Sequence, residues 1–344
     1  MIQLHGGNTG RFPGVTDFSA NINPLGMPDS VRAALSGSID GAEQYPDPYC
    51  TELRQRLAEH EKISPDNIVC GNGAADLIYR IVHAFRPQKA VVCAPSFGEY
   101  TRALNEADCS IAEHLLTEEN GFVLTDSILD ELDGSVDICF LCTPNNPTGL
   151  LIEPELLERT ARRCEENGIL LVCDECFMGF VRDGDKYSLR RFISGNCIIL
   201  KAFTKLYAMP GLRLGYTVCG SAETAQRIAG SGQFWSVSSI AQAAGTAALG
   251  EKDYTERTVN YVTAEREYLI SSMRDMGIRV YGSEADFIFF RSLPGLCEKM
   301  LSEGILIRDC QSFHGLEEGF YRIAVRGYED NTRLITALRR CING

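Results

Sequence analysis

Three side chains with complementary chemistry stand at the ends of successive apolar runs. Lys205 closes Leu200-Lys201-Ala202-Phe203-Thr204-Lys205 and Asp174 ends the run Ile169-Leu170-Leu171-Val172-Cys173. Asn146 sits in Cys142-Thr143-Pro144-Asn145-Asn146-Pro147-Thr148-Gly149, a turn between an apolar run and a proline-led helical pattern. A lysine amine can form a Schiff base with a carbonyl compound. An acid at a strand end is poorly suited to a core and well placed to hold a proton on a ligand nitrogen. A carboxamide can hydrogen-bond a phenolic oxygen. Upstream, Gly71-Asn72-Gly73-Ala74-Ala75-Asp76 joins an apolar run to the helical pattern Leu77–Phe85. Backbone N–H groups of Gly73, Ala74 and Ala75 there would face a phosphate from a helix N-terminus.

Something must carry these groups to one place, and the surrounding pattern says what. Ile68-Val69-Cys70, Ala90–Cys93, Val136–Cys142, Ile169–Cys173 and Cys197–Leu200 alternate with helical stretches such as Pro154–Gly168. That rhythm predicts an α/β domain with a mainly parallel sheet whose loops follow the strand ends. From about Ser236 to Met276 the pattern is continuously helical and free of proline, long enough to bridge two lobes. Beyond it, short strands and two helices predict a small C-terminal α+β domain. The expected division is an N-terminal arm contributing to the small domain (1–44), a large domain (45–250) and the small domain (251–344).

Composition narrows the classes. The 344 residues are 44% hydrophobic and 23% charged, with a net charge of −13, so the basic footprint of a nucleic-acid-binding protein is missing. No apolar run reaches membrane-spanning length, and the opening Met1–Phe12 lacks the apolar core of a secretory signal. A cytoplasmic protein with no membrane partner is expected. The fourteen cysteines suit a reducing compartment. Two C-x-x-C pairs, Cys139/Cys142 and Cys173/Cys176, fall in extended runs where residues three apart face opposite ways, so no metal site is expected.

Lysine, acid and amide together are the groups that pyridoxal phosphate requires. Here the chain resembles the fold type I pyridoxal-phosphate enzymes, the aspartate aminotransferase superfamily, over essentially its whole length, which implies seven strands in the mainly parallel sheet of the large domain. The resemblance implies that Lys205 is the Schiff-base lysine, Asp174 the partner of the pyridine nitrogen and Asn146 the contact to the ring oxygen. It makes Thr204 and Arg213 side-chain ligands of the cofactor phosphate and Phe97 the aromatic stacked on the ring. Tyr45 resembles the tyrosine that reaches the cofactor of a neighbouring subunit, which implies a homodimer with its active site at the interface. Arg322 resembles the arginine that clamps the substrate α-carboxylate. Arg326, four residues on and expected on the same strand face, is a candidate for a second anionic group. Two departures stand out. The histidinol-phosphate aminotransferase group carries Asp-Glu-x-Tyr where this chain has Asp174-Glu175-Cys176-Phe177, and Ala202 replaces a phosphate-binding serine.

The opening residues, His5-Gly6-Gly7-Asn8 and Asp17-Phe18-Ser19-Ala20-Asn21-Ile22-Asn23-Pro24, are similar to those of the L-threonine-O-3-phosphate decarboxylases of cobalamin biosynthesis, relatives of histidinol-phosphate aminotransferase. The resemblance implies decarboxylation of an anionic amino acid, L-threonine O-3-phosphate, to (R)-1-amino-2-propanol phosphate. Transamination of the histidinol-phosphate type, or of a related phospho- or phosphono-amino acid, is the alternative. The two differ in whether the Cα–carboxyl or the Cα–H bond stands perpendicular to the ring. His5, Asn8 and Asn23 are candidate substrate contacts. A retired fold serving only to bind would be expected to lose Lys205 or Asp174, and both are present.

Overall fold

A computed structural model of the protein describes residues 6–343, so the candidate substrate contact His5 lies outside the described residues. After a two-residue strand β1 (Thr16–Asp17) come the seven strands of the main sheet. They are β2 (Ile68–Gly71), β3 (Lys89–Ala94), β4 (Ser110–Leu115), β5 (Ile138–Cys142), β6 (Leu170–Asp174), β7 (Cys197–Ala202) and β8 (Gly215–Cys219). Their spatial order is β2-β8-β7-β6-β5-β3-β4. All neighbours run parallel except β8, which lies antiparallel between β2 and β7.

Helices cover both faces of this sheet, which is why β5 and β6 are buried at every position and run apolar up to Asp174 instead of alternating. Cys139 and Leu141 of β5 join Leu171 and Cys173 of β6 in one core layer. Ile138, Phe140 and Cys142 join Leu170 and Val172 in the other. Cys139 and Cys142 therefore face opposite layers. Among the described residues all fourteen cysteines are free thiols.

Helix Ala74–Phe85 buries Leu77, Ile78, Ile81 and Val82 against the sheet, the spacing of one helical face. It begins after Gly73 and ends where Arg86 turns left-handed at φ 45°. Pro154 opens helix Pro154–Glu166 on the other face, where its fixed φ suits the first turn.

The stretch expected to be one continuous helix is broken. Helix Ser239–Ala248 stops, and Tyr254–Asp275 starts after Gly250-Glu251-Lys252-Asp253. Ser238 caps the first of these through a bond from Ala241 N at 3.1 Å. Gly250, the poorest helix former there after proline, marks the break. The longer helix packs on a four-stranded antiparallel sheet made of β9 (Arg279–Val280), β10 (Phe287–Arg291), β12 (Arg308–Asp309) and β13 (Phe320–Ala324), in the order β12-β13-β10-β9. Between them in sequence, β11 (Ile305–Leu306) pairs in parallel with β1 near the N-terminus, Thr16 opposite Ile305. Phe18 enters the same core as Phe287, Ile288 and Phe290. No helix among the described residues is long and apolar enough to cross a membrane.

Candidate active site

Strand register collects the chemistry at one sheet edge. Cys142 lies opposite Asp174, Asp174 opposite Leu200, Ala202 opposite Gly215, and Gly215 opposite Gly71. The residues following β2, β5, β6 and β7, and those preceding the reversed β8, thus converge at the carboxyl edge of the parallel strands, where open α/β sheets bind ligands. A cavity of about 820 Å³ opens there. Ala74, Ala75, Phe97, Asn146, Asp174, Thr204, Lys205, Arg213 and Arg322 all line it.

At one end lies the start of helix Ala74–Phe85, which no side chain caps. Gly73 there has φ +86°, and a Cβ on it would come 2.6 Å from Arg213 Nη2, so glycine is what allows the guanidinium to lie against the turn. Gly215 is equally constrained, since a Cβ would meet Ala74 N at 2.7 Å and Gly73 C at 2.9 Å. Free helix N–H groups, the Thr204 hydroxyl and the Arg213 guanidinium together suit a phosphate.

The two asparagines of the turn after β5 divide the work. Asn145 holds the loop, donating from Nδ2 to Pro95 O at 3.0 Å and accepting from Ser96 Oγ at 2.9 Å. Asn146 is left to face the cavity, where its Oδ1 accepts from Arg322 Nη1. Arg322 Nη2 donates to Ser19 O at 2.9 Å. Asp174 is 5% exposed; it accepts from Tyr100 Oη at 2.6 Å and from Cys176 N at 2.9 Å. The next residue, Glu175, anchors this strand end by accepting from Leu189 N at 2.8 Å and from the Ser188 hydroxyl.

Burial governs the charges. It lowers the Lys205 ammonium below its ordinary value, so more of the amine is free to act as a nucleophile. Burial likewise brings the Arg322 guanidinium down to about 10, and raises the Tyr100 hydroxyl, whose Asp174 neighbour pushes the same way. Phe177 lies at the cavity, with Lys205 Nζ 6.0 Å from its ring centre. Phe97, half-buried, meets Tyr100 edge-on at 5.6 Å.

Four candidates are not brought to this cavity. Asn23 is buried and donates from Nδ2 to Leu206 O at 2.7 Å and Thr258 Oγ1 at 2.8 Å, and Asn21 lines the cavity in its stead. Asn8 is exposed at the start of a short turn of helix. Arg326 does not share a strand face with Arg322, because β13 ends at Ala324; it pairs with Asp330 at 2.8 Å and donates to Asp17 O at 3.0 Å. Tyr45 is 81% exposed and stacks on Trp235 at 4.6 Å, outside the cavity of its own chain.

The cavity also has a lining that the motifs did not suggest. Arg308 on β12 lies opposite Arg322 in register, is buried, and donates to Ser312 Oγ at 2.7 Å. His314 pairs with Glu113 at 2.6 Å at the mouth. Pairing the run Ile305–Cys310 against Phe320–Val325 by their alternation would have set the two arginines side by side; nothing in the sequence marks His314.

The sequence model of the class I and II aminotransferases matches residues 13–338. The chain belongs to that family. Threonine-phosphate decarboxylase of Salmonella typhimurium is 37% identical over 332 residues, covering 95% of this chain and 91% of the relative. Among solved structures, the histidinol-phosphate aminotransferase of Clostridium acetobutylicum has a TM-score of 0.88 at 29% identity, covering 95% of this chain and 98% of the other. The L-threonine-O-3-phosphate decarboxylase of Porphyromonas gingivalis scores 0.81 at 26%, covering 95% and 99%. The fold is that of aspartate aminotransferase, and the protein is an enzyme whose cofactor is pyridoxal 5'-phosphate. The uncapped helix start, the glycines beneath it and the buried acid fit that family's cofactor at its phosphate and its ring nitrogen.

Proposed function

We propose that the protein is a decarboxylase of a phosphorylated amino acid, converting L-threonine O-3-phosphate to (R)-1-amino-2-propanol phosphate and CO2. The observation that carries this reading is the pair of buried arginines, Arg322 and Arg308, in register on adjacent strands at the cavity. Two fixed guanidinium groups suit a substrate with a carboxylate at one end and a phosphate at the other. The likeness to the Salmonella threonine-phosphate decarboxylase supports the same choice; a place in cobalamin biosynthesis, in the cytoplasm, is part of the proposal.

In this reading Ala74, Ala75, Thr204 and Arg213 would hold the cofactor phosphate with the turn at Gly73, Asp174 would keep a proton on its ring nitrogen, and Asn146 would bond its ring oxygen. Phe97 would pack against the ring, and Lys205 would carry the cofactor covalently. The bound cofactor supplies an electron sink at the substrate Cα. Arg322 would orient the carboxylate, and the Lys205 amine would deliver a proton at Cα.

Cofactor-loaded protein given L-threonine O-3-phosphate without any keto acid is expected to release CO2 and the amine in equal amounts over many turnovers. No CO2, with amino transfer from histidinol phosphate to 2-oxoglutarate, would replace this reading by an aminotransferase.

The active unit is a homodimer. The exposed aromatic group of Tyr45, Tyr49, Phe234 and Trp235 supports a second copy as its cover, Tyr45 reaching the neighbour's cofactor. Tyr45→Phe is expected to weaken cofactor retention several-fold in equilibrium dialysis. A monomer by sedimentation would defeat the dimer.

A further inference from the structure

One buried acid near the cavity has no part in the assignments above. Asp286 stands immediately before β10, is fully buried, and neither carboxylate oxygen has a hydrogen-bond partner. An unpaired buried carboxylate is costly and calls for charge of the opposite sign nearby.

Its surroundings supply that charge from three elements. Arg266, on helix Tyr254–Asp275, donates to Ala285 O at 3.0 Å and pairs with Glu284 at 3.2 Å. Arg322, on β13, has its guanidinium carbon 5.3 Å from the ring centre of Phe287, the residue after Asp286, and its own Nε is buried without a partner. Phe287 meets Phe177 edge-on at 4.9 Å, and Lys205 Nζ stands 6.0 Å from the Phe177 ring centre. The backbone fixes the group in place, Val325 N donating to Asp286 O at 2.7 Å.

We propose that Asp286 is a positioning residue for Lys205 and Arg322, its carboxylate setting how tightly the Lys205 nitrogen keeps its proton. The inference rests on Lys205 being the residue that carries the cofactor. Burial pushes the Asp286 carboxyl up to about 7, against the pull of Lys205, Arg322 and Arg266, so it is ionised from neutral pH upward. Its charge opposes the effect of burial on Lys205, while Arg322 and Arg213 act in the other direction and Cys176 in the same one. Because Asp286 belongs to the small antiparallel unit and Lys205 to the short helix Phe203–Leu206 that follows β7 of the main sheet, the basicity of the lysine depends on the contact between the two.

The test is a pH titration of the visible absorption of the substrate-free holoenzyme. Asp286→Asn removes the charge and keeps the shape. With one negative charge fewer, the protonated form of the Lys205–cofactor linkage is disfavoured, and the midpoint is expected to fall by about one pH unit. Asp286→Ala should shift it in the same direction and serves if the asparagine variant does not fold, while Asp286→Glu should restore it toward the wild-type value. A midpoint unmoved in a folded, cofactor-loaded Asn or Ala variant would overturn the proposal, since a purely structural role lowers thermal stability without moving it. Failure of the Lys205 assignment looks different: the visible band would persist in Lys205→Ala, or the wild type would show none.

Discussion

Lys205→Ala is expected to abolish the visible band of the cofactor-loaded protein and to lower turnover by about four to six orders of magnitude. Among the described residues that line the cavity Lys205 is the only lysine, so no second amine stands ready to replace it. Burial lowers its ordinary proton affinity, which favours attack on a carbonyl near neutral pH. On the proposed roles the loss has two parts, the covalent link to the cofactor and the proton delivered at Cα, and added methylamine can restore only the second. Absorption spectroscopy and steady-state CO2 release check both. A variant that keeps the band and more than a tenth of the activity would move both roles to another residue.

The second large effect belongs to Asp174. Asp174→Asn preserves shape: its amide oxygen can accept from Cys176 N while its amide nitrogen donates to Tyr100 Oη, a hydroxyl that can accept as well as donate, so the fold is expected to survive. What disappears is the negative charge, 5% exposed at the strand end, that would keep a proton on the ring nitrogen. Removing one partner of a buried ionic contact costs about 3–5 kcal/mol, which corresponds to a fall in kcat of roughly two to four decades. Far-UV circular dichroism and cofactor content should match the wild type while kcat drops. A kcat within about threefold of the wild-type value would show that Asp174 is an anchor of β6 and nothing more.

What could be read from sequence follows from how local each feature is. Lys205, Asp174 and Asn146 each end an apolar run, and a parallel sheet sends such ends to one edge, so their meeting needs only the strand order that the alternating pattern implies. The turn at Gly73 was readable for the same reason. Arg326 misled because sequence spacing on a strand is informative only as long as the strand lasts, and β13 stops at Ala324. Asn23 and Asn21 are two residues apart in an irregular segment, where no periodicity tells which one faces the cavity. Arg308 and His314 arrive through pairing and loop packing between distant parts of the chain. The break at Gly250 lay within a helical pattern that composition alone does not interrupt.

The pairing of β1 with β11 bears on how the enzyme is made. Residues 19–21 leave the ribosome early, yet they are fixed as a cavity wall only when β11 arrives and Arg322 bonds Ser19 O across 303 residues of chain. Such long-range contacts form late. On the proposed assignments, a nascent chain that has just exposed Lys205 and the turn at Gly73 would offer the cofactor its phosphate cradle and its lysine without a closed wall, and lasting capture would wait for the last strands to be synthesised.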